Sequence, residues 1–564
     1  MKPSRLMLLV GTVGTPQLAA AGGLFLPGAG AVSTSRAGAA VASADDGEAI
    51  SQNPAGIAKA TGNTITVSAA MLQYAMEFQR RGTYDTVDME SYPYPGQPFA
   101  REKNDVSPPL GIGAVQPVPV IAFLTDLGGR VPGLHLGIGL YAPNAYPFRD
   151  MCTQLSGGCQ KYVFNDDFNT PPPGARYDIM KQEAAVILPS IAVAYRIRPE
   201  LDVGVRLSAG QATLKSTTAL WGVPGNYVEN IKQDSVFTVD AKDSFVPAFG
   251  LGVTYRPTPR IELGANYTSE LDIHASGTAI SQNGPSVQIG GFTPVIQPVA
   301  DEAALCAKGG TQGQLKACVD LALPMTAQLG GRYKFLDAQG NLKGDVELDL
   351  DWENWGKRCA GQDFDNGTCT DPSDYRVVVD AQAVINNNVD NGIPLNPSVV
   401  RHGLRDTYGV RLGGSYHLAV GAEREDHTSN EVIVRGGVGY DTAAAKIGWL
   451  RADLDGAART TLTAGAAFRT RRFEVSVGGG AILEGSPSNP NVGGGAAPCN
   501  PTSVPPSPGA GCSGTGAETP VVDRQGPDPI NPISIADNQF QSPVNQGDYK
   551  SHYVVFMLGI TTWF

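Results

Sequence analysis

The chain has 564 residues and a net charge of −12, and only 17% of its residues are charged. This excess of acid argues against nucleic acid as a partner, because too few cations remain to neutralise phosphates. Although 42% of the residues are hydrophobic, no run beyond the N-terminus approaches the roughly 20 apolar residues of a membrane helix. The apolar residues come in short alternating sets, which favours one large β structure with long loops over several soluble domains.

The N-terminus has the pattern of a secretory signal peptide. Lys2 and Arg5 precede an apolar stretch at 6–13, and small residues follow up to Ala21. A basic start, a short apolar run and small residues before the cleavage point are typical of export signals. We therefore assign residues 1–20 to a signal peptide and expect the mature chain to be exported.

Residues 21–60 form a segment without regular alternation. Small residues dominate this segment, and an Asn-Pro-Ala-Gly motif stands near its end at 53–56. The segment can pack tightly, and its poverty in Lys and Glu disfavours a solvated periplasmic tail. If the strands behind it close into a wide barrel, its natural place is the lumen, which then needs filling.

The remainder of the chain alternates between apolar and polar residues in fourteen segments. An even number of strands is what a closed bacterial up-and-down barrel requires, and short connections alternate with long ones, as periplasmic turns alternate with extracellular loops. The predicted strands are 63–79, 116–125, 134–145, 185–197, 201–219, 245–256, 260–275, 325–336, 344–356, 406–417, 430–441, 459–470, 471–484 and 549–564.

The two faces of these strands are legible. In 201–208, the apolar residues share one face, and Arg206 lies on the other. In 345–353, every second residue is a carboxylate. These carboxylates cannot face lipid, so they should line the barrel interior with basic partners on neighbouring strands. Such pairing can simply hold the wall together; alternatively, one inward cation binds a substrate carboxylate.

Cysteine usage supports an exported protein. The eight cysteines form four close pairs, and every pair lies in one of the long connections rich in Gly, Pro, Asn and Asp. An oxidising compartment favours disulfides there, whereas a zinc site would favour Cys-x-x-Cys spacing or a nearby His. The expected local pairs are Cys152 with Cys159, Cys306 with Cys318, Cys359 with Cys369, and Cys499 with Cys512.

The last nine residues have the pattern of a closing barrel strand. Every second residue back from the terminal Phe564 is apolar, except Thr562. A lipid-facing row that ends on an aromatic residue at the membrane boundary is typical of outer-membrane barrels. The alternative is an edge strand of a soluble sheet, although soluble chains rarely end abruptly on an apolar strand.

The N-terminal segment carries a specific family resemblance, which further matches extend over essentially the whole mature chain. Leu140-Tyr141-Ala142-Pro143 and Pro189 to Arg196 resemble the third and fourth strands of the FadL family of outer-membrane transporters for long-chain fatty acids and other hydrophobic compounds. The segments that resemble the family's N-terminal hatch are Arg36-Ala37-Gly38-Ala39, Ala44-Asp45-Asp46 and Asn53-Pro54-Ala55-Gly56.

The resemblance implies an all-β fold, a 14-stranded antiparallel transmembrane β-barrel (61–564) with the hatch (21–60) inside its lumen. It also implies uptake: a groove between extracellular loops captures a hydrophobic molecule, and the molecule leaves sideways through an opening at the third strand. Tyr141 and Pro143 would mark that opening. Pro143 cannot donate a ladder hydrogen bond, so it either interrupts pairing or merely ends the strand.

The substrate is left open between a fatty acid and an uncharged hydrocarbon. A fatty acid would need a cation, for which Arg206, Arg411 and Arg435 are the inward-facing candidates. The capture loop would be 276–324, in which 301–323 suggests one or two short helices bridged by the pair of Cys306 with Cys318. The apolar candidates on these helices are Leu305, Leu315 and Val319.

Two other classes of protein compete with this hypothesis. An outer-membrane enzyme would need a paired Ser and His, yet the six His are scattered and no Gly-x-Ser-x-Gly motif is present. A surface adhesin would use the disulfide-tied loops, but it needs no movable plug. We therefore expect a monomeric outer-membrane transporter, not an enzyme, with no metal and no cofactor. Its partners are a hydrophobic small molecule and outer-membrane lipid. The role of the long loop 485–548 is open.

Overall fold

The computed structural model describes most of the chain behind the N-terminus. The described residues are 23–87, 89–222, 229–288, 292–359, 363, 366–385, 392–421, 429–446, 449–454, 456–488, 533–534, 539–540 and 547–564. The predicted signal peptide lies outside these ranges. Within them, no helix combines the length and apolarity needed to cross a membrane.

Fourteen antiparallel strands form a closed barrel, as predicted. Each strand pairs with the next along the chain, and β14 pairs back with β1 from Thr64↔Trp563 to Arg80↔Gly547. The strands are β1 Asn63–Arg80, β2 Val115–Thr125, β3 Leu134–Tyr141, β4 Lys181–Arg198, β5 Leu201–Leu220, β6 Ser235–Thr258, β7 Ile261–Thr268, β8 Thr326–Leu336, β9 Leu342–Glu353, β10 Thr407–Val420, β11 Asn430–Asp441, β12 Arg459–Arg469, β13 Phe473–Gly485 and β14 Gly547–Trp563.

The barrel buries polar side chains and exposes apolar ones, as lipid on the outside requires. On β5, Val205 and Leu207 are 45% and 54% exposed, whereas Arg206 between them is 1% exposed. On β9, Glu347 and Asp349 are fully buried. The alternation therefore placed the inward and outward rows correctly.

Three predicted strands are wrong in extent, and one predicted helical region is wrong in type. The predicted strand 245–256 is longer, because β6 already begins at Ser235. The third strand ends at Tyr141 rather than at 145. The predicted strand 260–275 is two strands, because β7 ends at Thr268. The second strand, Leu271–Asn283, leaves the barrel and pairs with residues 235–242 of β6. The capture-loop helices are not formed: Leu315–Leu323 is a strand, with a single 3₁₀ turn at Asp301–Ala303 before it. The alternating pattern of this strand is satisfied by pairing with Leu271–Asn283.

Short strands also organise the extracellular loops. Leu271–Asn283 pairs with β6 on one side and with Leu315–Leu323 on the other, and Leu315–Leu323 pairs with Asp374–Val384. These strands extend β6 into a sheet within the loops, the loop sheet. The other loop strands are Glu102–Asn104, Phe148–Leu155, Gly158–Lys161, Val295–Pro298, Ile393–Pro394, Ser398–Arg401, Ile533–Ser534 and Gln539–Phe540. A 3₁₀ turn, Leu127–Gly129, lies between β2 and β3.

Three of the four predicted disulfides are formed. They join Cys152 to Cys159, Cys306 to Cys318 and Cys359 to Cys369, and each closes a short stretch of one extracellular loop. The fourth predicted pair falls in the long last loop. Its members, Cys499 and Cys512, lie outside the described residues, so this pairing stays a prediction.

The N-terminal segment lies inside the barrel as the hatch. It contains the short helices α1 Val32–Ser35 and α2 Ala49–Gln52 and the 3₁₀ helix Pro54–Lys59. The 3₁₀ helix packs against β4, β5 and β6, whereas α1 packs against β11 to β14 on the other side of the barrel.

Glycines in the barrel wall let the hatch approach closely. A Cβ at Gly204 would lie 2.4 Å from the backbone of Pro54 and Ala55, and one at Gly437 would lie 2.2 Å from the Arg36 carbonyl carbon. Both separations are below contact distance. Any larger residue at these two positions would therefore push the hatch off the wall.

Candidate functional site

The row of inward carboxylates on β9 holds the hatch. Arg36 of the hatch donates from Nη1 and Nη2 to Asp345 at 3.0 Å each, and Nη2 donates to Glu347 at 2.9 Å. Arg332 on β8 donates to the same Asp345 at 2.6 Å. The Arg36 side chain is buried, so this is a fully desolvated, fork-like ion pair.

The same carboxylates also bind hatch backbone. Asp349 accepts from the N–H groups of Ala40 and Val41 at 2.8 and 3.0 Å. Glu347 accepts from the N–H of Ala42 at 2.6 Å and from the next N–H at 3.2 Å. The sequence predicted that these side chains face inward; their main partner is the hatch, which the sequence did not indicate.

The Asn-Pro-Ala-Gly motif fastens two parts of the hatch to each other and to the wall. The Asn53 amide donates to the carbonyls of Val41 at 2.7 Å and of Val253 on β6 at 3.1 Å, and its Oδ1 accepts from Ala55 N–H. Pro54 begins the 3₁₀ helix. A Cβ at Gly56 would lie 2.4 Å from a backbone carbonyl oxygen of the hatch, so Asn53 is required for its hydrogen bonds and Gly56 for its lack of a side chain.

The acidic motif residues differ in environment. Asp46 is buried, whereas Asp45 beside it is exposed. Asp46 Oδ1 accepts from the N–H of Glu48, and the Glu48 carboxylate accepts from the N–H groups of Val32 and Ser33. This part of the motif therefore folds the hatch on itself.

The predicted substrate cation Arg206 contacts the hatch. Its Nη1 donates to the carbonyls of Ile50 and Ser51 at 2.8 and 3.1 Å, and its Nη2 donates to Thr268 at 3.1 Å. The guanidinium carbon lies 5.0 Å from the ring centroid of Tyr141, the last residue of β3. Arg206 thus links the hatch to the end of the third strand.

The other two candidate cations are engaged with acids of the wall. Arg411 pairs with Asp351 and, at 3.0 Å, with Asp441. Arg435 pairs with Glu474 at 2.7 Å. Neither they nor Arg206 is among the residues that line the large cavity described next.

A cavity of about 620 Å³ lies between the hatch, the barrel wall and the loop sheet. Its wall is mostly apolar and comes from all three parts of the molecule. Of the predicted capture-loop residues, Val319 lines it, Leu315 is buried in the core, and Leu305 is 61% exposed on the surface. The apolar lining includes Leu24, Phe25, Val118, Ala142, Val186, Leu214, Val239, Ile273, Val319, Leu321, Leu323 and Val377.

One end of the cavity is polar. Arg451 donates to Asp178 at 2.6 to 2.8 Å. Asp453 accepts from the Tyr375 hydroxyl at 2.7 Å, and its Oδ2 lies 2.8 Å from His402 Nε2. Sequence reasoning missed this cluster because its members come from three separate loops and carry no shared motif.

The polar end carries more acids than cations. The carboxylates among the lining residues are Asp178, Asp371, Asp374 and Asp453, against Arg401, Arg451 and the titratable His402. Burial raises the pKa of Asp178 to about 6, although Arg451 opposes this rise. Burial also disfavours the Asp453 anion, but His402 and Arg451 outweigh it and hold the pKa of Asp453 below its usual range.

The barrel wall loses its strand pairing where β3 ends. β2 pairs with β1 over its whole length, from Val115 to Thr125, but it pairs with β3 only from Val120 to Thr125. Residues 142–147 leave the wall, after a last contact in which Ala142 N–H donates to the Pro119 carbonyl at 3.4 Å. Four prolines flank this gap, and a proline cannot donate a backbone hydrogen bond to a neighbouring strand. They are Pro117, Pro119, Pro143 and Pro147, all of which line the cavity.

The gap and the cavity are continuous. Ala185 and Ile187 belong to the outward-facing row of β4, and both line the cavity. Pro143, one of the two predicted markers, lines the cavity as well, while Tyr141 contacts Arg206. The sequence signal that could have located the gap on β2 is the pair of prolines two residues apart, Pro117 and Pro119.

A metal centre finds no support in this part of the chain. Among the described residues, no group of three or more His, Cys, Asp or Glu could hold a metal ion. The six cysteines described there are all in disulfides.

A plugged, fourteen-stranded barrel whose wall opens beside an apolar cavity defines the class of outer-membrane transport barrels. The chain belongs to the family described as outer membrane protein transport protein (OMPP1/FadL/TodX), whose sequence profile matches residues 12–478. The protein is therefore a multi-pass β-barrel of the bacterial outer membrane. No curated protein matches the chain significantly.

Solved structures share the fold at low sequence identity. A Pseudomonas aeruginosa FadL homologue has 14% identity and a TM-score of 0.59, with 96% of this chain and 100% of the other covered. The Pseudomonas putida toluene transporter TodX has 12% identity and a TM-score of 0.54, covering 96% and 99%. The Ralstonia pickettii toluene transporter TbuX has 13% identity and a TM-score of 0.52, covering 95% and 98%.

Proposed function

We propose that the protein takes up uncharged hydrophobic compounds across the outer membrane and releases them sideways through the gap at the end of β3. The observation that carries the proposal is the apolar cavity that is continuous with this gap. Transfer from water into such a cavity lowers the free energy of an apolar molecule, whereas a water-filled channel offers it no such stabilisation. The hatch fills the lumen below the cavity, which leaves the gap as the direct way out.

The charges of the cavity favour an uncharged substrate over a fatty acid. A carboxylate entering the polar end would join four acids, and Arg451 there is already bonded to Asp178. The inward cations Arg206, Arg411 and Arg435 are bonded to the hatch or to wall acids. Two of the structural neighbours are toluene transporters, which agrees with this substrate class. The adhesin alternative gives the hatch and the cavity no role.

Lateral release is tested by blocking the gap. Ala185 faces outward at the gap and lines the cavity, so Ala185→Trp should fill the opening without touching the hatch. Ala464→Trp on β12 is the matched control, because Ala464 also faces outward but does not line the cavity. In cells that express each variant, uptake of radiolabelled toluene should fall to near background for Ala185→Trp only.

The same assay separates the parts of the proposal. Uptake by Ala185→Trp at the wild-type rate would overturn lateral release. Faster uptake of a labelled long-chain fatty acid than of toluene would overturn the uncharged substrate class. No uptake of either compound above that of cells lacking the protein would overturn the transport function itself.

A further inference from the structure

The segment that leads into β2 is free of charge. Residues 106–125 contain no Asp, Glu, Lys or Arg, although 17% of the whole chain is charged. The part before the strand, residues 108–114, is called the lip here. It borders the gap described above, since Leu110 is one of the residues that line the cavity.

The lip presents two large apolar side chains to the outside. Leu110 is 78% exposed and Ile112 is 84% exposed. Two tight turns hold them there: Gly111 N–H donates to the Pro108 carbonyl at 2.9 Å, and Ile112 and Val115 exchange hydrogen bonds at 2.9 and 3.2 Å. The backbone hydrogen bonds of these turns therefore keep the two side chains exposed.

The lip lies at the upper rim of the lipid-facing belt. Ile112 is level with Val115, to which it is bonded, and Val115 pairs with Gln73 on β1. Below Gln73, the outward row of β1 is apolar; above it, the row reaches the charged Glu77. The neighbouring β14 changes in the same way, from apolar residues to Lys550.

We propose that the lip inserts Leu110 and Ile112 between the acyl chains of the outer leaflet, just beneath the lipid headgroups. Exposed apolar side chains on an uncharged segment that continues the lipid-facing belt fit an apolar, membrane partner. The interaction does not depend on transport. It would anchor one border of the gap in the leaflet into which the gap opens.

The backbone of the lip sets the depth of insertion. Pro108 and Pro109 have no N–H groups, and the N–H groups of Gly111 and Ile112 are bonded as described. The lip is nevertheless an irregular turn, and unpaired backbone groups are excluded from the hydrocarbon centre of a bilayer. The lip therefore sits in the interfacial layer, with only its side chains among the acyl chains.

Fluorescence quenching tests this position directly. The variant Ile112→Trp is reconstituted in phosphatidylcholine bilayers whose acyl chains carry bromine either near the headgroup or near the chain end. The emission of the 5 native Trp, measured on the wild type, is subtracted. The added Trp should lose most of its emission to bromine near the headgroup, lose less to bromine near the chain end, and resist iodide in the buffer.

A second variant supplies the control. Gln97 is an exposed polar residue of the same extracellular loop, so Gln97→Trp should be quenched by iodide and not by brominated lipid. Iodide quenching of Ile112→Trp equal to that of Gln97→Trp would overturn the proposal, because the lip would then lie in water. Protection from both quenchers would also overturn it, because protein would then cover the lip.

Discussion

At the scale of single residues, the meaning of a buried charge depends on its partner. Asp345, Glu347 and Asp349 were predictable as inward residues, because their alternation with apolar neighbours leaves no other arrangement. Their binding of Arg36 and of hatch N–H groups was not predictable, because the partners are some 300 residues away in sequence. Arg206, a substrate candidate from its face alone, donates to hatch carbonyls instead.

Glu102 illustrates a buried acid without a salt bridge. It is fully buried in the first extracellular loop, where its Oε1 accepts from Ala175 N–H at 2.9 Å. Burial raises its pKa to about 7, against the N–H groups of Gly174 and Ala175 and the charges of Arg80 and Arg176. The folded loop therefore binds a proton more tightly than the unfolded loop does.

Glu102 should make the first loop less stable as pH rises. Between the unfolded pKa near 4.3 and the folded pKa of about 7, the folded state holds the extra proton, so stability is lost as pH rises through this window. Glu102→Gln should remove this loss, which is on the order of 3 kcal/mol at pH 8. Hydrogen exchange around Ala175, corrected for its intrinsic pH dependence, measures the effect.

The control for this prediction is an exposed acid. Glu302→Gln, on an exposed 3₁₀ turn, should leave the pH dependence around Ala175 unchanged. An identical pH profile in wild type and Glu102→Gln would contradict the assignment of the proton to Glu102.

At the scale of elements, strand ends and loop strands shape the cavity. β3 stops at Tyr141, where prolines on β2 withhold donors, and this stop opens the wall. In the capture loop, Leu315–Leu323 extends the barrel sheet rather than forming helices. A short alternating segment such as this one can form either structure, and pairing with Leu271–Asn283 decides between them.

The Cys306–Cys318 disulfide should support the cavity through this loop strand. Replacing both cysteines by Ser removes a short closed loop, worth about 3 kcal/mol, and frees the start of the strand that carries Val319. We expect faster proteolysis between residues 299 and 315 and weaker binding of toluene. Limited proteolysis and tritiated-toluene binding to the purified barrel measure the two effects.

The control removes a disulfide at another place in the loops. The double variant Cys152→Ser with Cys159→Ser frees a hairpin whose second strand, Gly158–Lys161, is exposed throughout. It should loosen that hairpin without changing toluene binding. Equal loss of binding in both double variants would show that the Cys306–Cys318 bridge has no special role at the cavity.

At the scale of the whole molecule, barrel and hatch are complementary in charge and shape. The wall supplies carboxylates and glycines, and the hatch supplies Arg36, backbone N–H groups and small side chains. Without the hatch, Asp345, Glu347 and Asp349 would face a wide lumen without Arg36. The outer wall would be unaffected, because strand pairing closes the barrel independently of the hatch.

Deleting residues 23–58 should therefore convert the transporter into an open, cation-selective pore. The barrel should still assemble, because its ladders are intact, while toluene uptake through the gap loses its cavity floor. Conductance and reversal potential in planar bilayers under a KCl gradient measure the change. A closed deletion variant, or an anion-selective one, would contradict the placement of the hatch and of the carboxylate row.

A milder change of the hatch supplies the comparison. The double variant Asn53→Ala with Pro54→Ala leaves the Val41 and Val253 carbonyls without the Asn53 amide, a loss of about 1–3 kcal/mol. It should impair uptake and give brief, rare openings rather than a permanent pore. Normal uptake by a correctly assembled double variant would count against a working role of the motif.

The sequence by itself determined the barrel. A strand alternates its side chains strictly, so fourteen alternating segments specify which residues meet lipid, and close cysteine pairs specify local bridges; both follow from short-range geometry. The tertiary structure alone decided the cavity and the hatch partners of the inward charges. The cavity joins residues from Leu24 to Leu454, and such distant contacts leave no periodic trace, because each depends on where separately specified strands and loops meet in space.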